Sequence, residues 1–275
     1  MPCIYHKNVC VCVHVWCKCT GFVYAMKRPR LSPECQTDKN DLYKEHCERL
    51  WGKWEELKTK TIAQASDEVM SDLDSAKRLA KALQYLLQAT KADEHSPDPV
   101  INCIHDFWSF NRFRGGWQLA KKRVPEQQLH YALKPVQSFT SEELEIEKWN
   151  DRGDVEGFLR ALTRRYKLQD EDLQHASGWS PERCVREARD VLKRDAMHLC
   201  IYLAGDDDFV ASCADYIHGH YAQKNHPQAK KFSDLEEHEQ SITKANIRLD
   251  FEAVALLLSG EYTEFDSTCS ASAVK

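Results

Sequence analysis

The spacing of apolar residues restricts the fold of this chain more than any other feature. Tyr43, Cys47, Leu50, Trp54 and Leu57 recur at alternating intervals of four and three residues, which places them on one stripe of a helix. With only 10 glycines and 9 prolines among 275 residues, few positions impose a turn. A second run keeps the helical spacing and comprises Ile62, Ala65, Val69, Leu73, Ala76, Ala80, Leu83 and Leu87. The sequence therefore predicts an all-α fold.

Changes in composition divide the chain into four predicted segments. The prolines of Ser96-Pro97-Asp98-Pro99 mark the clearest boundary, because each proline disfavours helix in the residue before it. Residues 41–94 predict an amphipathic helical hairpin, which buries its apolar stripe, or alternatively a coiled-coil dimerisation arm. Residues 97–266 predict a multi-helix globular domain. Disordered tails are expected at 1–40, which is rich in cysteine and basic residues, and at 267–275.

Short motifs predict where individual helices of the domain begin and end. Serine, threonine and aspartate favour helix starts, and glycine favours helix ends. One helix is expected to run from Cys184 past Leu203 to Gly205. The other predicted limits are Gly115-Gly116 and Gly260 as stops, Thr140 to Glu143 as a capping box, Ser180-Pro181 as a start, and Arg152-Gly153-Asp154 as a stop followed by an aspartate cap.

Positive charge is concentrated in one aromatic-rich window, although the whole chain has a net charge of −5. Residues 100–135 contain six lysines or arginines against two acidic residues. Basic side chains can contact phosphates, and interleaved aromatic rings can stack on unpaired bases. The alternative is an aromatic core from which arginines and lysines extend to solvent. The predicted residues for binding RNA or DNA are Arg112, Arg114, Trp117, Lys121, Lys122 and Arg123.

The first thirty residues contain two further motifs. Lys27, Arg28 and Arg30 form a short basic cluster of the kind that nuclear-import receptors recognise, so we expect a nuclear or cytoplasmic protein. The chain has no run of eighteen apolar residues, and no membrane span is expected. Five cysteines crowd the segment, and four of them form two Cys-x-Cys pairs, which depart from the usual zinc-knuckle spacing; the five are Cys3, Cys10, Cys12, Cys17 and Cys19.

No catalytic signature stands out, so the leading hypothesis is a non-enzymatic binding protein that contacts nucleic acid through residues 105–135. The alternative is a helical protein-interaction scaffold that uses the 41–94 arm. A third hypothesis is a metal-dependent hydrolase based on His105-Asp106 or on Asp206–Asp208. Against it, we expect His105 and Asp106 on a helix surface, and Asp206 as a helix cap. No metal and no cofactor are predicted.

Overall fold

The computed structural model describes residues 37–63, 73–90, 98–173, 178–192, 194–225 and 230–266. Within them the all-α prediction is confirmed by eight helices. These are α1 Thr37–Ile62, α2 Leu73–Ala89, α3 Pro99–Arg114, α4 Ser141–Tyr166, α5 Pro181–Val191, α6 Arg194–Gly205, α7 Asp207–Asn225 and α8 Glu237–Ser259. The import cluster at 27–30, the N-terminal cysteines and the 267–275 tail lie outside the described residues.

Only one small sheet accompanies the helices in the described part of the chain. Strands β1 (Gln118–Leu119) and β2 (Leu129–His130) pair in parallel, with Gln118 opposite Leu129. Both lie in the connection between α3 and α4. Short 3-10 turns occur at Pro125–Gln127, Val136–Ser138, Asp170–Asp172 and Phe232–Asp234.

A single large core unites helices from both sides of the predicted boundary at residues 96–99. Trp54 of α1 and Leu83 of α2 are fully buried in the same apolar cluster as Phe158 and Phe251. Helix α2 packs against α4, α5 and α6, and α1 packs against α3 and α6. Among the described residues, the 41–94 arm and the 97–266 domain therefore contribute to the same large core, and the expected boundary does not divide it.

Local capping chemistry places the helix starts where the sequence predicts them. Thr140 Oγ1 accepts a hydrogen bond from the Glu143 backbone N–H at 3.2 Å, and the Glu143 carboxylate accepts one from the Thr140 N–H at 2.8 Å. Ser180 Oγ accepts from the backbone N–H of Arg183 at 3.3 Å, with Pro181 as the first helical residue. The capping box and the serine cap are confirmed, because each satisfies an N–H group that the helix itself leaves unpaired.

Two predicted helix limits are wrong. Helix α4 runs unbroken through Arg152-Gly153-Asp154, because Gly153 allows a close approach between helices and does not end one. A Cβ atom at residue 153 would lie 2.4 Å from Cδ2 of His220 on α7, and one at Gly157 would lie 2.5 Å from Cγ1 of Ile217. The helix predicted from Cys184 to Gly205 is instead two helices, since the backbone leaves the helical conformation at Leu192, with ψ 84°.

Replacement of Gly157 by alanine tests the close approach of α4 and α7. The new methyl group would overlap Ile217, so we expect Gly157→Ala to lower the free energy of unfolding by about 1–3 kcal/mol. Gly52→Ala is the matched control, because Gly52 lies inside α1 and, apart from the adjoining residues and backbone of its own helix, nothing lies within 4 Å of its new methyl group. That control should raise stability by about 0.5–1 kcal/mol. Urea unfolding measures the free energy of unfolding of both variants. A change of the same sign and size in the two would contradict the close approach of α4 and α7.

Candidate nucleic-acid interface

The basic window lies largely on the α3–α4 connection, which we define as residues 115–140. Gly116, with φ +83°, turns the chain at the end of α3, and the Trp117 N–H donates to the Arg112 carbonyl at 3.0 Å. The Ala120 N–H then donates to the His130 carbonyl at 3.1 Å and closes the β1–β2 pair. The predicted stop at Gly115-Gly116 is confirmed. The connection is thus a folded element with its own hydrogen bonds.

Two of the predicted binding residues, Arg112 and Trp117, already contact other residues of the chain. The Arg112 guanidinium lies 5.4 Å from the ring centre of Trp108 and 5.2 Å from that of Trp117, within the range of cation–π attraction. Trp117 is half-buried and packs with Phe113 and Leu133 in a small apolar cluster. Arg112 and Trp117 therefore hold the connection against α3, and the Trp117 ring is not a free surface for a base.

The other four predicted residues have a different environment. Arg114, Lys121 and Lys122 are exposed, and Arg123 is half-buried. None of the four forms an ion pair with a described residue. Glu126 is the one acidic residue in the sequence of the connection. The end of α3 and the connection therefore carry an excess of positive charge that no described ion pair neutralises.

The buried carboxylate of Asp106 on α3 forms three hydrogen bonds with residues that are distant in the sequence. The Tyr43 hydroxyl donates to its Oδ1 at 2.8 Å, and the Tyr262 hydroxyl donates to its Oδ2 at 3.0 Å. His46 Nε2 lies 3.2 Å from the same Oδ2. Burial raises the pKa of both tyrosines well above the ordinary value, which keeps their hydroxyls protonated as donors.

His105 fixes the end of the connection. Its Nε2 lies 3.0 Å from the carbonyl oxygen of Ala132 and 3.1 Å from that of Lys134. Carbonyls only accept, so Nε2 carries a proton, while Nδ1 lies 2.8 Å from the carboxylate of Glu147. Burial lowers the pKa of His105, but the hydrogen bond to Glu147 and the charge of that carboxylate raise it, and the net shift is upward. Both ring nitrogens thus act as donors.

The expectation that His105 and Asp106 lie on a helix surface is wrong. Their exposed fractions are 1% and 3%, and α1, α4 and the segment after α8 cover them.

Asp206, the first residue of the acidic triplet after α6, also has hydrogen-bond partners within the chain. Asp206 caps α7 by accepting from the N–H groups of Asp208 and Phe209, and its other oxygen pairs with Arg165 at 2.8 Å. The predicted capping role of Asp206 is confirmed.

Further acidic groups, on α4, on α8 and at the start of α3, surround Glu147. Burial, followed by repulsion from Glu147 and Asp154, raises the pKa of Asp151 and Asp250 well above the ordinary range. Burial also raises the pKa of Asp98, the N-cap of α3, to about 6. A raised pKa favours the protonated, neutral carboxyl, which loses less on burial than the charged form does.

Comparison of the chain with protein families, curated proteins and solved structures found no match. In the described part of the chain, no helix combines the length and the apolarity that a membrane span requires. Across those same residues, no group of three or more histidine, cysteine, aspartate or glutamate side chains is placed to hold a metal ion.

The protonation of His105 yields a prediction that can be measured directly. A raised pKa means that the folded protein holds this proton more tightly than the unfolded chain does. The stability contributed by the imidazolium is therefore full below about pH 6.5 and is lost as the pH rises through the raised pKa. We expect an NMR titration of the His105 ring to give a pKa above about 6.5.

The Glu147→Gln variant tests the cause, and we expect it to lower the pKa of His105. Glu145→Gln is the matched control, because Glu145 is exposed on the same helix and its replacement should leave the titration unchanged. An unaltered His105 pKa in Glu147→Gln would show that the carboxylate does not hold the proton.

Proposed function

We propose that the protein binds the phosphate backbone of nucleic acid through the unpaired cations at the end of α3 and in the α3–α4 connection. The observation that supports this proposal is the absence of ion pairs between Arg114, Lys121, Lys122 or Arg123 and any described residue. Lys134, at the far end of the same connection, differs because its ammonium lies 3.0 Å from the Glu143 carboxylate. Unpaired cations can neutralise phosphates and release their condensed counterions, which drives association.

The proposed mode of binding is phosphate contact and not base stacking. Trp108 and Trp117 are already packed against Arg112, so they offer less ring surface to an unpaired base. Contacts to phosphate orient a protein on nucleic acid but carry no sequence information. The proposal therefore describes a binder with little preference among sequences, whose affinity depends on salt.

The scaffold alternative receives less support from the packing. Leu50 and Trp54 of α1, together with Ala80 and Leu83 of α2, are buried inside the chain, so these parts of the predicted stripes are not open to a partner. Among the described residues, the large apolar side chains that are exposed lie on three different helices, and isolated surface apolar residues are common in monomeric proteins. They are Leu42, Ile62, Leu73 and Tyr202.

Charge reversal at Lys121, Lys122 and Arg123 tests the proposed interface. We expect the full chain to bind a labelled single-stranded oligonucleotide with an affinity that falls steeply as salt increases. Replacing all three residues with glutamate should weaken binding at low salt. It should also reduce the slope of log affinity against log salt by about two to three, because each lost phosphate contact removes roughly 0.7–0.9. Fluorescence anisotropy across a salt series measures both quantities.

The matched control reverses three cations elsewhere. Arg164, Lys230 and Lys231 are exposed, and their replacement by glutamate changes the net charge by the same amount. We expect this control to retain most of the affinity, and thermal unfolding should show that both triple variants remain folded. Equal loss in the two variants, or no salt-dependent binding by the unaltered protein, would contradict the proposal.

A further inference from the structure

Residues from four helices line a cavity that is open to solvent and shares no lining residue with the α3–α4 connection. Its volume is about 420 Å³, within the range of small-molecule sites. Helix α1 supplies one wall, the end of α5 a second, the start of α6 a third and the end of α8 the fourth. The described residues that line it are Leu57, Lys60, Thr61, Arg189, Leu192, Met197, His198, Leu258 and Ser259.

The lining combines an apolar surface with positive charge. Leu57, Leu192, Met197 and Leu258 offer hydrocarbon and thioether surface, and methionine adapts its shape to irregular ligands. Two lining residues are cationic, and none of the described lining residues is acidic. A ligand with an apolar body and a negatively charged end matches both properties.

Arg189 is the cation best placed to receive that charge. The other lining cation, Lys60, has its ammonium 2.6 Å from Glu56, so its charge is already compensated. Arg189 donates from Nε to the Leu257 carbonyl oxygen at 2.8 Å. That bond orients the guanidinium, and Arg189 forms no ion pair with a described residue. A guanidinium held in this way can bind a carboxylate through two parallel hydrogen bonds.

His198 provides an independent indication of a ligand. This lining residue is only 7% exposed, yet neither of its ring nitrogens has a hydrogen-bond partner among the described residues. Buried polar groups in native proteins nearly always have a partner, and a group without one calls for an explanation. Both nitrogens lie beneath the surface of the cavity, so a ligand oxygen supplies the missing partner once the ring turns towards it.

From these observations we propose that the cavity binds a small monocarboxylate with an apolar body. The carboxylate pairs with the Arg189 guanidinium, and the body packs against Leu57, Leu192, Met197 and Leu258. This site is separate from the proposed nucleic-acid interface, and neither depends on the other.

Titration of the full chain with decanoate, below its micelle concentration, tests the proposal by calorimetry. We expect saturable binding with one molecule per chain. Decanol, which has the same apolar body without the charge, should bind at least tenfold more weakly. Arg189→Met should weaken decanoate binding by at least tenfold, because it removes the charge and keeps an apolar stem.

Two further variants make the result decisive. Arg186→Met is the matched control, since Arg186 is an exposed cation on α5 that does not line the cavity, and it should bind decanoate as the unaltered protein does. Leu57→Trp fills the cavity from α1 and should abolish binding even if Arg189→Met fails to fold. The proposal is overturned if decanoate does not bind, if decanol binds equally well, or if Leu57→Trp leaves binding unchanged.

Discussion

The buried carboxylate of Asp106 is the constraint on which the rest of the structure depends. A polar group removed from water is tolerated only when hydrogen bonds compensate for the lost hydration. Asp106 obtains this compensation from Tyr43 and His46 on α1 and from Tyr262 after α8, so the two ends of the described chain converge on α3. The adjacent His105 holds residues 132–134 through two carbonyls. The α3–α4 connection is thus seated on a polar network and not on apolar contacts alone.

Local signals in the sequence predict much of the fold. Thr140 with Glu143, Ser180 with Pro181, and Gly116 act on the backbone within a few residues, so their effect can be recognised without knowledge of the packing. Gly153 is misleading because its role depends on His220, a residue on another helix. The break between α5 and α6 at Leu192 cannot be predicted from the sequence for a related reason. Apolar residues continue at helical spacing from α5 into α6, and periodicity alone cannot reveal where two helices meet.

The candidate interface can be predicted only in part. The basic residues of the connection are apparent from composition, but the contact of Arg112 with two tryptophan rings depends on how the glycine turn folds back. The burial of His105 and Asp106 cannot be predicted, because their partners come from α1, α4 and the C-terminal segment. One feature of the sequence does indicate that a polar group is buried beside α1. Tyr43 occupies an apolar stripe, and a buried tyrosine hydroxyl requires a polar partner.

Hydrogen–deuterium exchange of the full chain, with and without a single-stranded oligonucleotide at low salt, tests the central claim most directly. The account predicts that the oligonucleotide slows amide exchange in residues 114–124, where the unpaired cations lie, and leaves the helices around the decanoate cavity unchanged. Slowed exchange elsewhere, with none in residues 114–124, would contradict the claim that this connection is the nucleic-acid interface.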